Sequence, residues 1–100
     1  MTNALYSNPL YVDSAATVWT GSDKSVRLIQ WVDVKGAELL HDDELTFTIN
    51  GTAISLEFHG LNDVITNVNI WQAGPFDPPL TVNNFVVTTI EGGAVLIWLA

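Results

Sequence analysis

His41, Asp42, Glu44, Glu57 and His59 are the residues of this 100-residue chain whose types and spacing come nearest to a chemical site. Carboxylates and imidazoles bind divalent cations, and a set this rich in oxygen favours Ca²⁺. A two-residue turn at Asn50-Gly51 would set Glu44 opposite Glu57 and Asp42 opposite His59, all on a solvent face. Directly opposed like charges destabilise a strand pair unless a cation lies between them. The spacing follows no calcium-loop pattern, however, and an acidic face also discourages edge-to-edge pairing of sheets. The expectation is a solvated acidic face that holds no metal.

Other chemistries find less. Two His and five Ser allow a Ser–His–Asp set by count, but no G-x-S-x-G turn presents a nucleophile. No glycine-rich phosphate loop opens a helix, because no helix of useful length is legible. The chain therefore reads as a non-enzyme without a cofactor. Trp19, Trp31, Trp71 and Trp98 offer either a sugar-stacking platform, as in carbohydrate-binding modules, or core material; in a domain this small they read as core. Asn50-Gly51-Thr52 matches a glycosylation sequon and is read as the turn itself.

The element that positions the acidic residues is the segment 44–58, ELTFTINGTAISLEF. Leu45, Phe47 and Ile49 alternate with Thr46 and Thr48, the period-2 pattern of a half-buried strand. Asn50 and Gly51 both tolerate the positive φ of a type I′ turn. Ile54, Leu56 and Phe58 then alternate with Ser55 and Glu57. The turn pairs Phe47 with Ile54, Leu45 with Leu56 and Ile49 with Thr52. A one-residue slip would turn one apolar set to solvent, so the register is strongly specified.

Around this hairpin the chain reads as strands and turns. Residues 1–15 read as an extended arm, with Asn8-Pro9 discouraging helix before it; the plainer reading is an edge strand or a disordered terminus, and the functional one is an arm laid on a neighbouring subunit. Residues 16–20 make a short strand closed by a turn over 21–24. Residues 25–34 make the next, with Val26, Leu28, Val32 and Val34 on one face and Arg27, Ile29, Trp31 and Asp33 on the other. Residues 37–40 have room for one helical turn, and 59–63 for a loop. A strand over 64–71 precedes the proline-rich connection 73–80, AGPFDPPL. Strands over 84–90 and 94–99 flank Gly92-Gly93, a second hairpin signal; a two-residue turn there would pair Val87 with Trp98 and Ile90 with Val95. Residues 95–99 are apolar on both faces, which places that strand centrally in a sheet or against another chain. The fold class is all-β: one small antiparallel β-sandwich or barrel, jelly-roll-like, of seven to eight short strands.

Composition narrows the partners. Charged residues make up 14% of the chain, against about 25% in ordinary soluble domains. So few charges suggest a surface partly covered by a partner, although Thr, Asn and Ser also supply polar surface. Lys24, Arg27 and Lys35 are the only basic residues, and the net charge of −8 arises from Gly36 onward. Such a chain cannot neutralise phosphates, so nucleic acid and anionic membrane surfaces are excluded as partners. The absence of cysteine excludes disulfides and thiolate metal sites. No basic segment followed by an apolar run marks a secretory signal. The longest apolar run, 94–100, is far short of the ~20 residues that span a bilayer.

SNPLYVDSA, VRLIQWVD, ELTFTINGTAI, GPFDPP and NFVVTTIEGGAVLIWL together cover most of the chain. In this arrangement it resembles the small all-β virion structural proteins of tailed bacteriophages, of the capsid decoration or cement type. The resemblance implies a protein on the capsid surface that stabilises a phage head. It also implies contact with the major capsid protein or another virion protein, and a homotrimer. No functional residue transfers through it. The candidate partner contacts are Leu5, Tyr6, Leu10 and Tyr11 of the arm (1–15), together with Arg27 of the β-sandwich domain (16–100). The alternatives are a carbohydrate- or host-surface-binding β module and a phage tail or baseplate component.

Overall fold

The computed structural model describes residues 3, 8–33, 42–57 and 69–100. Among them lie seven strands and no helix: β1 (Leu10–Val12), β2 (Ala16–Val32), β3 (Glu44–Ile49), β4 (Thr52–Glu57), β5 (Asn69–Ala73), β6 (Leu80–Ile90) and β7 (Ala94–Leu99). Every pairing is antiparallel, in the order β1-β7-β2-β6-β3-β4, with β5 also paired to β2. The all-β expectation holds. The helical turn and loop read at 37–40 and 59–63 lie outside the described residues, as does the first part of the strand read at 64–71.

The β3–β4 hairpin has the register its turn dictates: Leu45 faces Leu56, Phe47 faces Ile54 and Ile49 faces Thr52. Asn50 and Gly51 carry φ of 51° and 84°, the left-handed pair that a tight hairpin requires. The Asn50 amide also ties the turn to β6, donating to the Thr81 carbonyl and accepting from the Asn83 N–H.

The long strand β2 organises the rest; the sequence reading is corrected at three places and narrowed at one more, the arm. Residues 21–24 do not turn the chain back. Between Thr20↔Asn84 and Lys24↔Val82, β2 advances four residues while β6 advances two, so the segment is an enlarged bulge within one 17-residue strand. A glycine at φ 82° followed by polar residues serves a bulge as well as a turn, and pairing with β6 selects the bulge. Past that bulge, β2 lies between β7 and β5: Ile29 faces Ile97 on one side and Ala73 on the other.

The second correction concerns Gly92-Gly93. β6 and β7 do not pair with each other. Val87 faces Ala16 and Phe47, Ile90 faces Leu45, Trp98 faces Leu28, and Val95 faces Val12 and Trp31. The two glycines, both buried, carry the chain from one part of the sheet to another, and the Trp31 indole donates to the Gly92 carbonyl at 3.0 Å. A short Gly-Gly link permits a tight hairpin or a crossing equally, and the partners offered by β2 decide.

Third, residues 10–12 of the arm take the edge-strand form and join the sheet of the domain. Leu10–Val12 pairs with β7, and Leu10 and Val12 are buried in the core at 3% and 0% exposure. Asn3 steadies the exit of that strand by accepting from the Asp13 and Ser14 N–H groups. Fourth, the faces of β2 change partway. Val26↔Leu99 is followed by Leu28↔Trp98, so Arg27 is an extra residue, and Val26 joins Ile29 and Trp31 in the core.

The core draws on strands from both ends of the sheet order, so the single sheet folds over itself as a small sandwich or barrel. A chain of aromatic contacts runs through it. Trp19 and Phe85 lie 5.5 Å apart, Phe85 stacks on Phe47 at 5.5 Å, and Phe47 meets Trp71 at 5.9 Å. Burying each large side chain contributes about 1.5–3 kcal/mol. The buried indole N–H of Trp19 is satisfied by the Val82 carbonyl at 3.0 Å, so the ring costs no lost hydrogen bond.

Candidate interaction surface

Three of the four tryptophans belong to the core: Trp19 and Trp31 are buried and Trp71 packs against them. No row of exposed rings exists among the described residues. Trp98 is different. Along β7, Val95 and Ile97 point inward at 0% exposure, so Leu96 and Trp98 point to the opposite face. Trp98, 37% exposed, is the large apolar side chain left open there.

The ring is held in place. Its N–H donates to Gln30 Oε1 at 2.8 Å, the Gln30 amide reaches Gln72 Oε1 at 3.4 Å, and the Gln72 amide reaches the Gly74 carbonyl at 3.3 Å. The relay crosses β7, β2 and β5 on one face. In the same cross-strand row Tyr11 faces Leu96, and Leu96 faces Gln30. Towards the β7 start, Tyr11 and Leu96 pack on the buried pair Val32 and Ala94.

Beside Trp98 lies a groove of about 340 Å³ lined by Asn8, Arg27, Leu28, Trp98 and Leu99. Each wall has a local cause. Asn8 clamps the end of β7, accepting from the Leu99 N–H at 2.9 Å and donating to its carbonyl at 3.2 Å. Arg27 stands at the rim because it is the bulged residue. The bulge is gripped from the proline-rich connection, where the Phe76 N–H donates to the Arg27 carbonyl at 2.7 Å. Gly74 makes that approach possible: at φ 105°, a Cβ there would lie 2.8 Å from the same carbonyl oxygen. The Arg27 guanidinium is exposed and makes no hydrogen bond or ion pair among the described residues.

The candidates read from sequence separate accordingly. Arg27 lines the groove, and Tyr11 is half-buried one cross-strand row away. The Leu10 side chain is enclosed in the core and is not a surface contact. Leu5 and Tyr6 lie outside the described residues. Trp98, read from sequence as core or as part of a sugar-stacking platform, is the exposed ring of this face; Gln30, Gln72 and Asn8 carry no signal in the sequence, and the two-faced apolarity of 95–99 is the feature that points to this face. The Tyr11 hydroxyl has its pKa raised above 10.0, first by burial and then by the negative charge of Asp13.

At the far end of the hairpin, Glu44 faces Glu57 as expected, bordering a shallow depression with Thr46, Ser55 and Leu56. The Glu91 carboxylate accepts from the Glu44 N–H at 2.7 Å. His41 and His59 lie outside the described residues, and among those described no group of three potential metal ligands assembles.

Comparison with protein-family models, with curated proteins and with solved structures finds no match to this chain.

Proposed function

We propose that this chain is a non-enzymatic structural protein of a phage virion, a capsid decoration or cement protein. It works as a homotrimer attached to the major capsid protein or another virion protein. The observation that carries a protein-binding role is the fixed, exposed Trp98 at the rim of a groove that it lines with Leu28, Leu99 and Arg27. Interfaces concentrate their binding energy in such Trp and Arg anchors, with apolar surroundings that exclude water. The virion setting rests on the sequence resemblance.

A carbohydrate-binding module is favoured less. Among the described residues one exposed ring stands where such a module would present a platform, and the nearest amides, Asn8 and Gln30, each already make internal hydrogen bonds.

The test is co-sedimentation of purified protein with capsids lacking it, beside its native mass in solution. Saturable binding that weakens in Trp98→Ala, from a protein with the mass of three chains, is the expected result. Attachment to purified tails instead of heads would move the assignment to a tail or baseplate component. Failure to bind any virion part would overturn the proposal.

A further inference from the structure

We infer that the groove beside Trp98 receives a carboxylate side chain flanked by an apolar residue, presented on an extended segment of the partner protein. This deepens the protein-binding reading and rests on it. Arg27 is one of three basic residues in a chain of net charge −8, and its guanidinium is the group in the groove that lacks a counter-ion among the described residues. An exposed guanidinium with five fixed donors matches a planar carboxylate in a bidentate geometry. Among the described residues the groove's other walls supply no second cation, so a single negative charge fits it better than a dianionic phosphate or a polyanion.

The remaining walls set the rest of the ligand. Leu28, Leu99 and the Trp98 ring present apolar surface, while the Asn8 amide is occupied on both sides by the Leu99 backbone. Among the described residues the groove thus offers one guanidinium and apolar contact, with the Asn8 amide already engaged once on each side by the Leu99 backbone. A volume of about 340 Å³ is near the lower end of ordinary ligand pockets, room for a few side chains and not for a folded element. Preorganisation adds to this. The glutamine relay fixes the ring, and the Phe76–Arg27 bond with Gly74 behind it fixes the bulge, so little ordering remains to be done on binding.

The test uses the full chain labelled with ¹⁵N and two blocked peptides, acetyl-Gly-Glu-Leu-Gly-amide and its Gln counterpart. The Glu peptide should shift the Trp98 indole N–H and the backbone N–H signals of Leu28 and Leu99. It should bind about three- to tenfold more tightly than the Gln peptide. Arg27→Gln, an exposed substitution, should erase that preference while leaving the remaining spectrum unchanged, and Trp98→Ala should weaken both peptides. Equal binding of the two peptides, no shift at the groove at millimolar peptide, or tighter binding of glucuronate than of the Glu peptide would each overturn the inference. Peptide selectivity without attachment to any virion part would leave this inference standing and remove the virion reading. Attachment to capsids undiminished by Arg27→Gln would do the reverse.

Discussion

The Trp98 indole N–H donates to Gln30 Oε1 at 2.8 Å across the β7–β2 pair, where Trp98 faces Leu28 and Gln30 faces Leu96. The two side chains are diagonal neighbours on one sheet face, close enough for long side chains to meet. An exposed ring would otherwise sample several rotamers; this bond selects one. Gln30→Ala should therefore change stability little, by about 0.5–1.5 kcal/mol, the net value of one hydrogen bond. Its larger effect should be on the ring, seen as an upfield-moved, broadened Trp98 indole N–H signal and weaker partner binding. An unchanged indole signal would show that packing alone orients the ring.

Gly74 should resist substitution for a reason separate from any turn. Gly74→Ala places a methyl 2.8 Å from the Arg27 carbonyl at a φ of 105°. Relief requires losing the Phe76–Arg27 bond or shifting the bulge. A loss of about 1–3 kcal/mol in urea unfolding is expected, together with shifted Arg27 and Leu28 backbone signals. Gly51→Val, at φ 84° in open space, should cost about 1–2 kcal/mol from backbone strain alone and leave the groove signals in place.

Deletion of residues 1–12 should destabilise the domain rather than merely loosen its attachment. It removes the edge strand β1 and leaves β7 exposed at its Leu10 and Val12 contacts. Val12→Ala alone should cost about 2–3 kcal/mol through lost burial and the cavity left behind. A truncated protein with an unaltered thermal midpoint would contradict the placement of β1.

Tyr11 gives the fold a dependence on alkaline pH. Its folded-state pKa is raised above 10.0 by burial and by Asp13, so the native state holds the phenolic proton more tightly than the unfolded chain. That contribution is fully present below pH 10.0 and is lost as pH rises through the folded pKa. Absorbance titration should show one tyrosine ionising late, with its midpoint lowered in Asp13→Asn, and the alkaline loss of stability should shrink in Tyr11→Phe.

At the hairpin base, Glu44 opposite Glu57 is expected to bind no metal strongly. Calorimetric titration with Ca²⁺ should find nothing tighter than about millimolar, the weak end of calcium modules. Micromolar binding lost in Glu57→Gln would reverse that expectation.

The sequence by itself determined whatever is encoded within a few neighbouring residues. The β3–β4 register follows from alternation on both sides of Asn50-Gly51, because the turn and the apolar faces impose the same pairing. The all-β class follows from many such short patterns, and the acidic pair at positions 44 and 57 follows from counting outward from the turn. The tertiary structure decided everything that depends on which strand lies beside which. Residues 21–24 and Gly92-Gly93 are locally compatible with hairpins, yet β2 takes both β6 and β7 as partners and turns one into a bulge and the other into a crossing. The extra residue at Arg27 leaves no local signature, since a bulge is defined by two strands together. The groove shares that origin: Asn8, Arg27 and Trp98 are distant in sequence and meet only because β1 and β2 flank β7. Alternation could show that residues 95–99 are apolar on both faces, but only the pairing shows which face the core fills and which leaves Trp98 open.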